Sequence, residues 1–128
     1  MINGVHLLLY SRDAEADRAF FHDVLNLGSV DAGAGWLIFG LPPAEIGIHP
    51  GDGTFAQSHA DEILSGCVIY LLCDHLRETI SDLSAKGVAT TAIQEADWGI
   101  ATSLRLPSGG GLGLYEPRHQ TALQLAAR

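Results

Sequence analysis

Residues 67–87, CVIYLLCDHLRETISDLSAKG, contain an apolar run, an aspartate at Asp74, a segment of helical periodicity and a closing glycine. Residues 5–28, VHLLLYSRDAEADRAFFHDVLNLG, follow the same order, with Asp13 in the equivalent place. Aspartate is a preferred residue at a helix N-terminus, and glycine commonly follows the end of a helix. Each stretch therefore predicts a strand followed by a helix.

Extended segments follow both predicted helices. In the first half they are a short piece from Ser29 and strands at 35–39 and 45–49, and in the second half they are strands at 88–93, 100–106 and 112–116. The order of a strand, a helix and three strands thus occurs twice, and repeats of this kind bury their sheet faces together. We predict an α+β fold of two βαβββ repeats that form a cupped, barrel-like mixed sheet with helices outside.

The whole chain, residues 1–128, is predicted to be a single domain, because its length suits one hydrophobic core. The predicted boundaries are repeat one at about 4–50, a connector at 51–66, repeat two at about 67–118 and a tail at 119–128.

Composition limits the classes of partner. A formal charge of −8 with only seven Lys and Arg residues argues against nucleic acid. Apolar runs are too short to predict a membrane span, and the N-terminus lacks the features of a signal peptide, so a cytoplasmic location is expected. Cys67 and Cys73 would lie about 20 Å apart along a strand, which predicts free thiols and suits a reducing compartment.

Three local sequences strengthen the repeat pattern: His6 in the first strand, FFHDVL at 20–25 in the first helix, and LYEP at 114–117. With the repeated order, they resemble the vicinal oxygen chelate superfamily of glyoxalases, bleomycin resistance proteins and extradiol dioxygenases, over residues 4–118. The resemblance implies a small-molecule site and a homodimer. Function must be argued from the site, because one fold hosts many activities.

In metal-dependent members, the resemblance implies ligands on the first and last strands of each half. The corresponding residues are His6, His49, Cys67 and Glu116, with Glu45 as a possible substitute for His49 on the same strand. Imidazole, carboxylate and thiolate groups suit Fe, Zn, Mn or Ni. Cys67 departs from the histidine of iron-dependent relatives, so it is either a thiolate ligand or an empty position. The ordinary alternatives are a half-buried strand histidine for His6, a solvated histidine for His49, a small buried hydrophobic residue for Cys67 and an outward-facing edge carboxylate for Glu116.

A substrate pocket is predicted from aromatic side chains on the strands and from an arginine within a strand. Its residues are Trp36, Phe39, Tyr70, Trp98 and Arg105. Each has an ordinary alternative, since strand aromatics are commonly core residues and a strand arginine commonly lies at the surface.

Three functions follow from these residues. The first is a metal-dependent lyase, isomerase or dioxygenase that chelates a small oxygenated substrate and stabilises an enolate or catecholate, with His6 and Glu116 as catalytic groups. The second is a metal-free protein that binds a small molecule or antibiotic. The third is a metal-free enzyme that uses His6 or Glu116 as acid or base. The first two functions require the side chains of His6 and Glu116 to converge on one site.

Overall fold

The computed structural model describes residues 6–50, 52 and 56–125. Its elements in chain order are α1 (Ala14–Asp23), β1 (Ser29–Asp31), β2 (Leu37–Phe39), β3 (Ala56–His59), β4 (Glu62–Ser65), β5 (Tyr70–Leu72), α2 (Leu76–Ala85), β6 (Gln94–Ala96), β7 (Gly99–Arg105) and β8 (Gly111–Pro117). Val5, parts of the predicted connector (51 and 53–55) and the last tail residues (126–128) lie outside the described residues. Neither described helix is long and apolar enough to cross a bilayer.

The largest sheet contains four strands in the order β5-β8-β7-β6. β5 runs parallel to β8, and the other two pairings are antiparallel. With α2 between β5 and β6, this half has the βαβββ order that the sequence predicts. The strand expected at 88–93 forms later, as β6 (Gln94–Ala96), and Thr90 makes only an isolated bridge to Leu104.

One face of this sheet packs against the helices. Leu76 and Leu83 of α2 and Phe20 of α1 form a core with Leu112 and Leu114 of β8. Paired residues of neighbouring strands point to the same side, and successive residues of one strand alternate. The opposite face, which we call the open face, therefore carries Tyr70, Leu72, Ala101, Ser103, Gly113 and Tyr115.

Both helices begin at capped N-termini, but the caps differ. The predicted cap of α1 is confirmed, since Asp13 Oδ1 accepts a hydrogen bond from the Ala16 amide at 3.1 Å. The predicted cap of α2 at Asp74 is wrong, because the N-cap residue is His75 and its side chain makes no capping bond. A carboxylate from β8 takes that place, since Glu116 Oε1 accepts a hydrogen bond from the Leu76 amide at 2.8 Å.

The first half departs from the predicted strand pattern. β1 and β2 form an antiparallel hairpin, but residues 6–10 and 45–49 are not strands. No described strand pairs with either segment, so their apolar residues remain at the surface. The predicted connector contains the β3–β4 hairpin, whose turn residues Ala60 and Asp61 have φ of 52° and 64°. Positive φ at both positions is the geometry of a tight hairpin turn. The α+β class is confirmed, and the described sheets are open rather than closed into a barrel.

A buried carboxylate connects the two halves. Asp17 of α1 is 5% exposed, and its two oxygens accept hydrogen bonds from the amide and the hydroxyl of Ser108, at 3.1 and 2.8 Å. Ser108 lies in the turn between β7 and β8. Burying a charge is costly unless it is hydrogen-bonded, and here both oxygens have partners. Asp17 therefore holds α1 against the β7–β8 turn of the second repeat.

Candidate functional site

Glu116 lies on the helix-facing side of β8. It pairs with Ile100 of β7 and alternates with Gly113 and Tyr115, which point to the open face. Its half-buried carboxylate accepts the amide hydrogen of Leu76 at 2.8 Å, beside an open cleft of about 230 Å³. The positive end of a helix dipole stabilises such a carboxylate. Glu116 is thus engaged in capping α2 and points away from the open face.

The other predicted metal ligands are exposed. His6 and Cys67 lie at the surface, and the Nδ1 atom of His49 is 2.7 Å from the carbonyl oxygen of Pro50. Within residues 6–50, 52 and 56–125, no group of three or more His, Cys, Asp or Glu side chains is arranged to hold a metal ion. The structure does not bring the four residues together as one metal centre, and their roles as ligands or catalytic groups stay predictions.

On its paired strands, the open face lacks the donors that a divalent metal needs. On the paired strands β5, β7 and β8 it presents tyrosine, leucine, alanine, serine and glycine side chains. Protein sites for divalent transition metals are built from imidazole, carboxylate and thiolate groups. At the centre, a Cβ atom added to Gly113 would lie 2.2 Å from Cδ1 of Tyr70, because the Tyr70 ring covers that position. A metal ion does not fit this part of the face.

Aromatic rings converge on the open face instead. The Tyr115 ring centroid lies 5.8 Å from that of Tyr70, 5.6 Å from that of Trp98 and 5.7 Å from that of His119. The hydroxyl of Tyr115 donates a hydrogen bond to the backbone carbonyl of Trp98 at 2.8 Å. Tyr70 is 51% exposed and Trp98 is 44% exposed. We call Tyr70, Trp98, Tyr115 and His119 the aromatic cluster.

A negative charge lies beside the aromatic cluster. The pKa of Tyr115 is raised, first by burial and then by the charge of Glu45 and by Tyr70. Glu45 Oε1 accepts a hydrogen bond from the Ala122 amide at 2.8 Å, and its Oε2 lies 4.0 Å from Nε2 of His119. Glu45, which the sequence offers as a substitute metal ligand, therefore holds the tail next to the cluster.

Comparisons with known proteins identify the fold of this chain through solved structures. No family model matches the chain, and no curated protein matches it. Among solved structures, it is similar to the antibiotic binding protein TnmS3 from Streptomyces sp. CB03234, with 18% identity, a TM-score of 0.58, and 91% of this chain and 99% of that chain covered. A glyoxylase/bleomycin resistance protein/dioxygenase domain from Frankia sp. EAN1pec has 21% identity and a TM-score of 0.59, with coverage of 92% and 100%. The chain has the fold of the glyoxalase/bleomycin resistance protein/dioxygenase superfamily.

This superfamily fold also includes a fosfomycin resistance protein, FosX, from Listeria monocytogenes, which is 17% identical, with a TM-score of 0.55 and coverage of 98% of this chain and 100% of that chain. Antibiotic binding and fosfomycin resistance therefore occur on the same fold. At sequence identities below 25%, the similarity concerns the backbone fold. The chemistry of each protein has to be argued from its own residues.

Within the superfamily fold, the predicted pocket residues of this chain separate into two places. Tyr70 and Trp98 lie in the aromatic cluster, whereas Trp36 and Phe39 line a cavity beside α1. Arg105 is exposed and donates a hydrogen bond to the carbonyl oxygen of Gly109 at 3.1 Å, which braces the β7–β8 turn.

No sequence pattern marks His119 as a site residue, because it follows the last strand in a tail that has no clear periodicity. The position of this ring depends on Arg118, which donates hydrogen bonds to the carbonyl oxygen of Ala96 at 3.0 Å and to the carboxylate of Glu95. These are contacts between residues more than 20 positions apart, so no local pattern reports them.

Proposed function

We propose that this protein binds a planar aromatic compound, neutral or cationic, on the open face of its four-stranded sheet and without a metal ion. The observation that carries the proposal is the aromatic cluster, whose rings converge while two of them remain about half exposed. A soluble domain gains little by leaving large rings in water, and such exposed apolar patches commonly mark binding sites.

The cluster supplies the interactions that such a ligand needs. Offset and edge-to-face contacts between rings add to the free energy gained by burying apolar surface. A ligand cation would also be attracted by the ring faces, by the Glu45 carboxylate and by the overall charge of −8. Planar cations are therefore expected to bind more tightly than planar anions of similar size.

The donor geometry favours binding over the metal-dependent chemistry that the sequence first suggested. The carboxylate of Glu116 faces α2, and the paired strands of the open face carry no imidazole, carboxylate or thiolate. The His119 imidazole and the Glu45 carboxylate lie beside this face, but among the described residues they are not part of a group of three or more side chains that could hold a metal ion. The likeness to an antibiotic binding protein is in keeping with a binding role, although at 18% identity it supports the fold alone.

Binding is tested by the fluorescence of Trp98 in a Trp36→Phe variant, where Trp98 is the remaining tryptophan. Acridine orange, a planar cation, is expected to quench this fluorescence saturably, and anilinonaphthalene sulfonate, a planar anion, more weakly. Tyr70→Ala should weaken acridine orange binding roughly two- to tenfold, the value of an aromatic pair. Tyr10→Ala is the matched control, because Tyr10 contacts His59 of the β3–β4 hairpin. Unsaturable quenching, or equal effects of both variants, would contradict the proposal.

Metal content gives a separate test. Protein purified without chelators, and then incubated with Fe²⁺, Zn²⁺, Mn²⁺ or Ni²⁺, should carry less than one equivalent of each after desalting. If the protein binds a stoichiometric metal ion that His6→Ala loses and His22→Ala keeps, the metal-dependent function is supported and the metal-free proposal is wrong.

We also propose that the protein is a cytoplasmic homodimer. Leucines 7–9 are each more than 40% exposed, and Ile46, Ile48 and Ile63 are each about 80% exposed or more. These residues lie on segments or hairpins that the described chain leaves uncovered, and a second copy would cover them. Both cysteines are free thiols, as expected in a reducing compartment.

A further inference from the structure

A second cavity, of about 140 Å³, lies between α1, the β1–β2 hairpin and the segment before α1. We call it the α1 cavity. Its wall is largely apolar and is formed by Leu9, Phe21, Trp36, Leu37 and Phe39. The rings of Phe21 and Phe39 lie 5.5 Å apart between centroids, tilted by 56°. An engineered apolar cavity of about 150 Å³ holds a benzene molecule, so this space suits a single aromatic ring.

One cation lies at the α1 cavity. The guanidinium carbon of Arg18 is 5.0 Å from the centroid of the Trp36 ring. Among the residues that the structure describes, no carboxylate forms an ion pair with Arg18. Asp17 also lines the cavity, but both of its oxygens accept hydrogen bonds from Ser108. The Arg18 guanidinium is therefore available to bind a ligand anion. Its planar arrangement of N–H donors suits the two oxygens of a carboxylate.

A hydroxyl donor lies at the same cavity. Ser11 Oγ accepts a hydrogen bond from the Asp13 amide at 3.0 Å, which leaves its own hydrogen free to be donated. An apolar wall with a few polar groups is the usual composition of a small-molecule site. We propose that the α1 cavity binds a monocyclic aromatic carboxylate, whose ring lies against the apolar wall and whose carboxylate meets Arg18 and Ser11. This site is separate from the aromatic cluster and does not depend on the function proposed for it.

The test uses benzoate and a Trp98→Phe variant, in which Trp36 is the remaining tryptophan. Titration is done at about 0.15 M salt, where the Debye length of about 8 Å limits repulsion from the acidic surface. Benzoate is expected to change the Trp36 fluorescence saturably and to bind roughly tenfold more tightly than benzamide, because its hydrogen bonds to the guanidinium are charge-assisted. Arg18→Met keeps an unbranched side chain and should remove this preference.

Two further variants control for folding and for location. Arg12→Met, at an exposed residue that does not line the cavity, should bind benzoate as the parent does. Ala14→Leu places a larger side chain at the cavity without a large change in helix propensity, and it should block benzoate while the circular dichroism spectrum is unchanged. The proposal is overturned if benzoate leaves Trp36 unaffected, if Arg18→Met binds benzoate as the parent does, or if Tyr70→Ala weakens benzoate as much as Arg18→Met.

Discussion

Replacing Glu116 by alanine is expected to lower stability rather than to remove a metal ion. In the structure, Glu116 Oε1 accepts the amide hydrogen of Leu76, the first residue of α2. Leu76 is fully buried while Glu116 covers its amide, so this carboxylate is the acceptor on which the amide depends. The substitution removes both the cap and the negative charge at the positive end of the helix.

The magnitude follows from these two losses. Removing a side-chain cap costs about 1 kcal/mol. Losing the negative charge at the positive end of the helix adds about 0.5 kcal/mol. The free energy of unfolding should therefore fall by about 1.5 kcal/mol, which lowers Tm by roughly 5 °C for a domain of this size. Glu116→Gln keeps an acceptor oxygen and should lose only about 0.5 kcal/mol, the value of the charge at the helix terminus.

Urea denaturation followed by circular dichroism measures these differences. Glu62→Ala serves as the control, because Glu62 lies exposed on β4. If Glu116→Ala unfolds at the same urea concentration as Glu62→Ala, the capping role is wrong. If the variant instead keeps its stability and loses a stoichiometric metal, the carboxylate is a ligand and the metal-dependent function returns.

Four other results are expected. Asp17→Ala should cost about 2 kcal/mol in chemical denaturation, and adding Ser108→Ala should cost little more, since the Ser108 hydroxyl has then already lost its Asp17 acceptor. Ellman's reagent should modify exposed Cys67 faster than Cys73, whose pKa is raised by burial; equal rates would contradict this. Because the folded state raises the pKa of Tyr115, it favours the neutral phenol, so this contribution to stability is present below pH of about 10 and is lost as the pH rises through the folded pKa. Tyr115→Phe should flatten that alkaline decline in Tm. Light scattering at micromolar concentration should give the mass of a dimer, and a monomer would refute the proposed assembly.

The second repeat was predictable because its signals are local. Helix α2 follows from the spacing of Leu76, Ile80 and Leu83, and β7 and β8 follow from alternating runs separated by a turn of proline, serine and glycine. The alternation also placed Glu116 correctly on the face shared with Leu112 and Leu114. What the pattern could not say is which face of the sheet the helices would cover.

That missing information decided the prediction for Glu116. The sequence predicts that Glu116 lies on the inner face of a shared site, whereas the buried leucines turn that face towards α2. In the first half, the apolar residues at 6–10 and 45–49 have strand composition but find no paired strand in the described chain. Strand propensity reports how a residue fits a sheet, and pairing depends on distant segments.

The direction in which Glu116 points has a consequence for engineering this scaffold. Leu112 and Leu114 are 2% and 3% exposed, so sliding β8 by one residue to expose the carboxylate on the open face would bring both leucines out of the core. A designer who wants a metal on the open face must therefore introduce new donors rather than recruit Glu116. The central candidate, Gly113, lies under the ring of Tyr70, so a histidine or glutamate there requires a smaller residue at position 70 as well. Building a metal centre on this strand of the open face thus takes at least two coordinated substitutions.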